Sequence, residues 1–277
     1  ADGLPTDERV DVGGLPATGA TYRILRDIEA QTVRVSTSVL IRTQLTADIL
    51  YHRAGPPVTM DRFHVVANGR DESVFQPFDA QARAEVRRRL QIENSAPLLV
   101  YAGSMGPQYC TDAMASLFAE VRRLRRDARL LVLTGSPEVA TQAFQEVAEG
   151  AIIMRVPPEE VPGYLAAADV GLAYRSKIFS MQGVAPVKLS EYLLCGLPVI
   201  GTAAVGDTRA LLDEGLLFDD AGGTAAAAHW ILQAVLPRRE FYRDQARAAG
   251  RAQFSLTRSI EDYARALEAF RGHRLPL

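Results

Sequence analysis

Lys188 and Glu191 stand three residues apart in the stretch A-P-V-K-L-S-E-Y-L-L-C-G-L-P-V-I, residues 185–200. The stretch reads as a short helix, a tight turn and a buried strand. Pro186 suits the first helical position, where its missing N–H would be unpaired anyway. A spacing of three puts Lys188 and Glu191 on one face of the first turns. Gly196 ends the helix, and Leu197-Pro198-Val199-Ile200 opens a strand. A helix N-terminus with free N–H groups and a lysine suits a phosphate. A carboxylate one turn further in suits sugar hydroxyls. The chemistry on offer is that of a nucleotide-sugar site. Each residue also has a plainer reading: Lys188 as a surface lysine paired with Glu191, and Glu191 as a solvated helix carboxylate. On spacing alone the plainer reading of Lys188 prevails.

The surrounding chain supplies a scaffold. Asp79 caps a helix over 80–91, and 98–102 is a strand. Thr111 or Asp112 caps a helix to about 126, whose apolar stripe is Met114, Leu117, Phe118, Val121 and Leu124. Strands follow at 130–133, 151–154, 170–173, 199–201 and 216–218. Between and after them come helices behind Pro137, at 161–168, from Thr208, and near 224–235, 239–251 and 256–271. This alternation implies a parallel sheet covered on both faces, and runs such as L-L-V-Y and L-L-V-L fit strands buried on both sides. Ahead of Asp79, residues 1–19 are rich in Gly, Pro, Asp and Thr and read as loop. A helix follows at 22–32, a strand lies within 33–43, then a helix at 44–53, a strand at 63–67 and a turn at Asn68-Gly69.

In such a sheet, ligands bind outside the carboxyl ends of the strands. Those ends carry Gly103-Ser104-Met105-Gly106, Thr134-Gly135-Ser136, Arg155-Val156, Tyr174-Arg175 and Gly201-Thr202. Small residues there allow backbone N–H groups to approach a phosphate. Any single loop reads equally as ordinary turn chemistry, whereas the set beside the 185–200 helix reads as a nucleotide site. Two readings of Arg175 stand side by side: a phosphate contact and a surface residue.

Five segments in order resemble a known family. P-V-K-L-S-E-Y-L-L-C-G-L-P-V-I resembles the donor-site helix of family-4-like glycosyltransferases of the GT-B fold. V-V-A-N-G-R-D-E-S-V-F-Q-P (65–77) is similar to that family's interdomain pattern V-x-N-G-V-D-x-x-x-F-x-P. L-V-Y-A-G-S-M-G (99–106) resembles its first C-terminal strand and glycine loop. V-P-P-E-E-V-P-G-Y-L-A-A-A-D-V-G-L (156–172) resembles the segment before the donor helix, and F-S-L-T-R-S-I-E-D-Y (254–263) the closing helix. The likeness covers roughly residues 20–270.

The resemblance implies an α/β fold, a Rossmann-like doubly wound parallel sheet of the GT-B type with a truncated N-terminal portion. It divides the chain into a remnant of an acceptor-side domain (1–67), a nucleotide-sugar-binding domain (68–255) and a C-terminal helix packing back toward the first domain (256–277). Only about 65 residues precede the interdomain segment, short of a domain of ~100–150 residues, so a truncated chain lacking most of the acceptor-binding domain is expected. The implied activity moves a sugar from a UDP- or GDP-linked donor to an acceptor hydroxyl, with retention. The acceptor would be a glycan, a lipid-linked molecule or a small molecule. Lys188 and Glu191 become the catalytic pair, with Glu191 matching the second of two family glutamates spaced eight apart and binding the ribose. The donor set adds Gly103, Ser104, Gly135, Val156, Arg175, Gly183, Ala185, Pro186 and Val187, with Val156 offering backbone to the base. The first family glutamate falls at Gly183, so backbone groups of 183–185 substitute for it or the sugar is held differently. The usual arginine and lysine of the first glycine loop are absent, and Ser104 and Gln108 stand there instead. No cofactor and no metal are expected: protein charges would replace a metal, and no Asp-x-Asp motif is present. The rivals are a nucleotide-sugar epimerase on the same fold and a non-catalytic nucleotide-binding fragment. A dinucleotide-dependent dehydrogenase is disfavoured, since no G-x-G-x-x-G follows the first strand.

The totals are consistent with this reading. A chain of 277 residues, 48% hydrophobic and 23% charged, fits an ordinary globular protein. Its net charge of −2 gives no overall attraction to nucleic acid or anionic membrane. Cys110 and Cys195, the only cysteines, are too few for a disulfide framework or a cysteine zinc site and suit a cytoplasmic location. Four histidines show no H-x-x-x-H spacing. The Arg122, Arg123, Arg125, Arg126 run reads as a solvated helix face, with peripheral membrane docking as the minority reading. The Ala- and Arg-rich composition points to a bacterial source.

Overall fold

A computed structural model describes residues 3–203, 205, 206 and 208–272. Residues 1 and 2 of the expected leading loop, 204 and 207 beyond the 199–201 strand, and 273–277 of the expected closing segment lie outside the described residues.

The leading part is more ordered than its composition suggests. Helix α1 covers Pro5–Asp11, within the stretch read as loop. Pro5 opens it, and Asp7 is buried and clasped by Arg53 at 2.7 and 3.0 Å and by the Tyr22 hydroxyl at 2.9 Å. Helix α2 (Ala20–Val35) runs on into the expected strand, which shrinks to β1 (Val39–Ile41). Thr43 then caps α3 (Gln44–Ala54) by accepting the Thr46 N–H at 3.1 Å. Strand β2 (Phe63–Val65) pairs in parallel with β1 around a small core of Leu4, Val33, Ile41, Ala47, Leu50, Ala54 and Val58. No turn forms at Asn68-Gly69. The chain there is pressed against the closing helix: a Cβ on Gly69 would lie 2.5 Å from the Ser259 Cβ.

Asp79 caps α4 (Ala80–Arg89) by accepting the Ala82 N–H at 2.7 Å. The chain then alternates through β3 (Leu98–Ala102), α5 (Thr111–Leu124), β4 (Arg129–Leu133), α6 (Pro137–Ala143), β5 (Ala151–Met154), α7 (Val161–Ala166), β6 (Val170–Ala173), α8 (Val187–Leu194), β7 (Val199–Gly201), α9 (Arg209–Asp213), β8 (Leu217–Asp219) and α10 (Thr224–His229). α10 continues as a π-helical stretch, Trp230–Val235, before α11 (Arg239–Phe254) and α12 (Leu256–Gly272). The cap of α5 is neither Thr111 nor Asp112. Cys110 takes that position in a left-handed conformation, because the turn Pro107–Tyr109 runs straight into the helix. The stripe of α5 is buried at Met114, Leu117, Phe118 and Val121, while Leu124 is exposed on the last turn.

Strands β3–β8 form one parallel sheet in the order β5-β4-β3-β6-β7-β8. This is the doubly wound Rossmann order, and the winding reverses between β3 and β6. Every residue of β3 is buried, as continuous apolar strands covered on both faces should be. Helix α8 leaves the loop after β6, beside that reversal. Tyr192 bolts it to the sheet, its hydroxyl accepting the Ala102 N–H at 2.9 Å and donating to the Leu172 carbonyl at 3.3 Å. Gly171 of β6 makes room for the ring, since a Cβ there would lie 2.4 Å from Tyr192 Cδ2. Gly171→Ala is therefore expected to lower stability by about 1–3 kcal/mol through overpacking, read as a drop in the denaturant midpoint.

Candidate functional site

Helix α8 begins one residue later than its sequence suggests. Pro186, with ψ 115° in the extended region, is the N-cap, and Val187 is the first helical residue. No side chain caps this end, so its first amides are left for a ligand or water. At the other end, Gly196 takes φ +80°, and the Leu197 N–H reaches back to the Tyr192 carbonyl at 2.9 Å.

Lys188 turns inward from the first turn. Its Nζ lies 4.5 Å from the Tyr109 ring centroid and 5.0 Å from that of Tyr101. Gly103, at the end of β3 with φ +143°, makes this possible: a Cβ there would stand 2.4 Å from both Cε and Nζ of Lys188. The Arg175 guanidinium sits over the same Tyr109 ring at 4.2 Å. Its loop is fixed by Thr202, whose hydroxyl accepts the Arg175 N–H at 3.0 Å and donates to its carbonyl at 2.8 Å. Two cations thus share one aromatic ring. Burial, and next the Arg175 charge, push the Lys188 ammonium down to about 8, with Glu191 opposing.

Glu191, one turn further along, does not pair with Lys188. Its Oε1 accepts from Arg70 Nε at 3.0 Å. Burial raises its carboxyl, and Arg70 and Lys188 pull it back. Glu191 opens on a cavity of about 490 Å³ lined also by Phe75, Gly103, Thr134, Gly135, Arg155 and Val156. The expected Gly103, Gly135, Val156 and Glu191 therefore meet in one cavity, and Lys188 and Arg175 meet beside its Gly103 wall.

Other expected residues lie elsewhere. Ser104 is exposed, and its carbonyl accepts from the Tyr101 hydroxyl. Gly183 is buried in the turn Phe179–Gly183 under the leading segment, where a Cβ would lie 2.9 Å from Leu4 Cγ. This packing is the physical reason that a glutamate does not fit there. The carbonyls of Gln182, Gly183 and Ala185 accept from Thr43, Thr46 and Asn68, at 3.4, 3.5 and 3.4 Å. Ala185 and Pro186 line a second, smaller cavity of about 250 Å³ with Arg42, Asn68, Thr208 and Asp262. Val187 accepts the Ser190 hydroxyl at its carbonyl, 2.6 Å away. Sequence reasoning missed Tyr101, Tyr109 and Arg70. For Arg70 a signal existed: the chain carries N-G-R where the resembled pattern carries N-G-V.

A six-stranded Rossmann-type sheet with cations, an uncapped helix end and a carboxylate outside its strand ends has the architecture of a GT-B domain. The family model described as "Glycosyl transferases group 1" matches residues 96–234, and the chain belongs to that family. It is 32% identical over 249 residues to a D-inositol 3-phosphate glycosyltransferase of Xylanimonas cellulosilytica, covering 80% of this chain and 55% of that protein. It is 25% identical over 232 residues to an alpha-maltose-1-phosphate synthase of Mycolicibacterium smegmatis, covering 78% of this chain and 57% of that one. The chain thus spans little more than half the length of these curated relatives. Among solved structures, Anabaena Alr3699/HepE in complex with UDP matches with a TM-score of 0.71 at 15% identity, over 94% of this chain and 70% of that one. WaaG, a glycosyltransferase involved in lipopolysaccharide biosynthesis, matches with a TM-score of 0.70 at 19% identity, over 94% and 72%. These likenesses establish the shared fold. Among the described residues no helix is long and apolar enough to cross a membrane.

Proposed function

We propose that this chain carries the donor-binding half of a glycosyltransferase. It transfers a sugar from a nucleotide-diphosphate sugar, UDP- or GDP-linked, to the hydroxyl of a glycan, lipid-linked or small-molecule acceptor, on the cytoplasmic side of the membrane and without a metal. The observation that carries this reading is the meeting of Lys188 and Arg175 over Tyr109, one helical turn from Glu191. The Anabaena protein's complexes with UDP and UDP-glucose favour a uridine donor. Retention follows from the family resemblance.

In this reading the diphosphate lies against the first turn of α8, and Glu191 accepts hydrogen bonds from the ribose. The base sits against backbone near Val156. As the bond from the anomeric carbon to the β-phosphate oxygen breaks, negative charge builds on the departing diphosphate. The Lys188 ammonium, the Arg175 guanidinium and the free amides of α8 are already in place to receive it. The acceptor hydroxyl oxygen replaces the diphosphate at the anomeric carbon, its proton passes to the departing diphosphate, and the site's work is positioning and leaving-group stabilisation.

Calorimetric titration of the chain with UDP, GDP and ADP tests this. One nucleotide is expected to bind selectively, and Glu191→Ala to weaken it about 10- to 100-fold, the worth of hydrogen bonds to a charged group. Unchanged affinity in that variant would remove Glu191 from the donor site. Gly183, buried beneath Leu4, favours a second reading: a nucleotide-binding part that does not itself transfer. Donor binding with no acceptor-dependent release of nucleotide would select it.

A further inference from the structure

The Arg70–Glu191 contact joins the donor carboxylate to the segment that crosses from the small sheet to the large one. The backbone of Arg70 is immobilised. Its N–H donates to the Phe254 carbonyl at 2.9 Å, and its carbonyl accepts the Leu256 N–H at 2.8 Å, where α11 gives way to α12. Gly69, immediately before it, is pressed against Ser259 and the Ser255 carbonyl. Glu72, two residues on, accepts from the Leu256 N–H and the Thr257 hydroxyl. The guanidinium therefore springs from a fixed anchor.

This segment is already tied to α8 without Arg70. Arg247 of α11 donates to the carbonyls of Leu194, Phe75 and Glu72 at 2.6, 2.5 and 2.7 Å, stapling the end of α8 to the crossing segment. The pair is partly buried, Arg70 by about two thirds and Glu191 more, and a merely structural tie here would duplicate one already made. Among the described residues, the only side-chain bond of Arg70 is from Nε to Glu191 Oε1, which leaves Oε2 unclaimed by it.

Resting on the reading of Glu191 as the ribose carboxylate, we infer that Arg70 is a positioning residue of the donor site. It clamps Oε1 from a fixed anchor and leaves Oε2 as the acceptor for the ribose diol. The consequence is a pH profile. Glu191 is faced by Arg70 from the crossing segment and by Lys188 on its own helix. Arg155 shares its cavity from the loop after β5, Arg175 reaches Lys188 from the loop after β6, and Arg247 lies at the far end of α8. The Tyr192 phenol on the same helix and the Cys195 thiol just past its end are neutral, pushed up by burial. Burial raises the Glu191 carboxyl, and the Arg70 hydrogen bond and charge are the strongest influence opposing it. Without Arg70, Glu191 takes up its proton at higher pH, and diol binding fails sooner as the pH falls.

The test is titration of the chain, as wild type, Arg70→Val, Arg70→Lys and Glu191→Ala, with the selected ribonucleoside diphosphate and its 2′,3′-dideoxy counterpart, between pH 5 and 7.5. Arg70→Val is expected to move the acid limb of ribonucleotide affinity upward by about one pH unit, a tenfold loss at fixed pH below the limb. Arg70→Lys should restore most of it, and the dideoxynucleotide should show no such shift. Equal weakening at every pH, or no change, overturns the role of Arg70. Unchanged affinity in Glu191→Ala, or binding by none of UDP, GDP and ADP, overturns the ribose reading and this inference with it.

Discussion

Lys188→Ala is expected to slow glycosyl transfer by about 100- to 1000-fold, the usual effect of removing one preorganised group that faces developing negative charge. The effect is large because the ammonium is pre-placed. Gly103 admits it, Tyr101 and Tyr109 hold it, and much of its hydration is already lost. Its depressed pKa of about 8 adds a signature. Below pH 8 the lysine is charged, and affinity for a diphosphate is at its fullest. Above pH 8 the free protein loses that charge, and affinity falls by up to about tenfold per pH unit. A bound diphosphate raises the pKa again, so binding near pH 8 takes up protons. Calorimetry in buffers of different ionisation heat should show this uptake in the wild type and lose it in Lys188→Ala. An alkaline limb that persists in the variant would assign the titration to another group.

The strands at 98–102, 151–154, 170–173 and 199–201 stand where the sequence placed them. Each is a short apolar run; those of β3, β6 and β7 are buried on both faces, and the edge strand β5 is half-buried. Helix ends were less legible: α4 and α7 each stop two residues early, and α2 runs three residues long, because terminal turns are decided by packing. Helix α1 was hidden altogether. Its composition is that of a loop, and what orders it is the grip of Arg53 on Asp7, 46 residues apart. Within the site, Lys188 and Glu191 were legible through their helix, and Gly103 only as a turn glycine. Its use, leaving space for a lysine 85 residues away, cannot be seen without the fold. Arg70 carried a trace, as a departure from the resembled pattern. Tyr109 carried none, since the ring becomes a cation platform only when the loops after β3 and β6 meet, through the Ser176 N–H to the Gln108 carbonyl at 3.0 Å.

Asp169→Asn is expected to cost about 3–5 kcal/mol of stability, the range for breaking a buried ion pair by removing one partner. Asp169, at the amino end of β6, is fully buried and holds three arginines from two helices: Arg83 at 2.7 Å, Arg87 at 3.7 Å and Arg239 at 2.7 Å. Its other oxygen accepts the Leu98 N–H at 2.9 Å, fixing the start of β3 to the start of β6. Arg87 is itself fully buried and donates to the carbonyls of Glu93, Ala96 and Ala167. Burial pushes its guanidinium down to about 10, and Asp169 is the charge that opposes this. An isosteric amide keeps the shape and withdraws that charge, leaving three guanidinium groups crowded together without a counterion. Removing Arg87 as well should not restore stability, because its three carbonyl partners would lose their donors. This cluster lies at the amino end of the sheet, opposite the cavity beside Glu191. Nucleotide affinity of the folded Asp169→Asn protein should therefore stay within about twofold of wild type while its denaturant midpoint falls. A variant that keeps its midpoint would show that Arg87 is satisfied by the carbonyls alone.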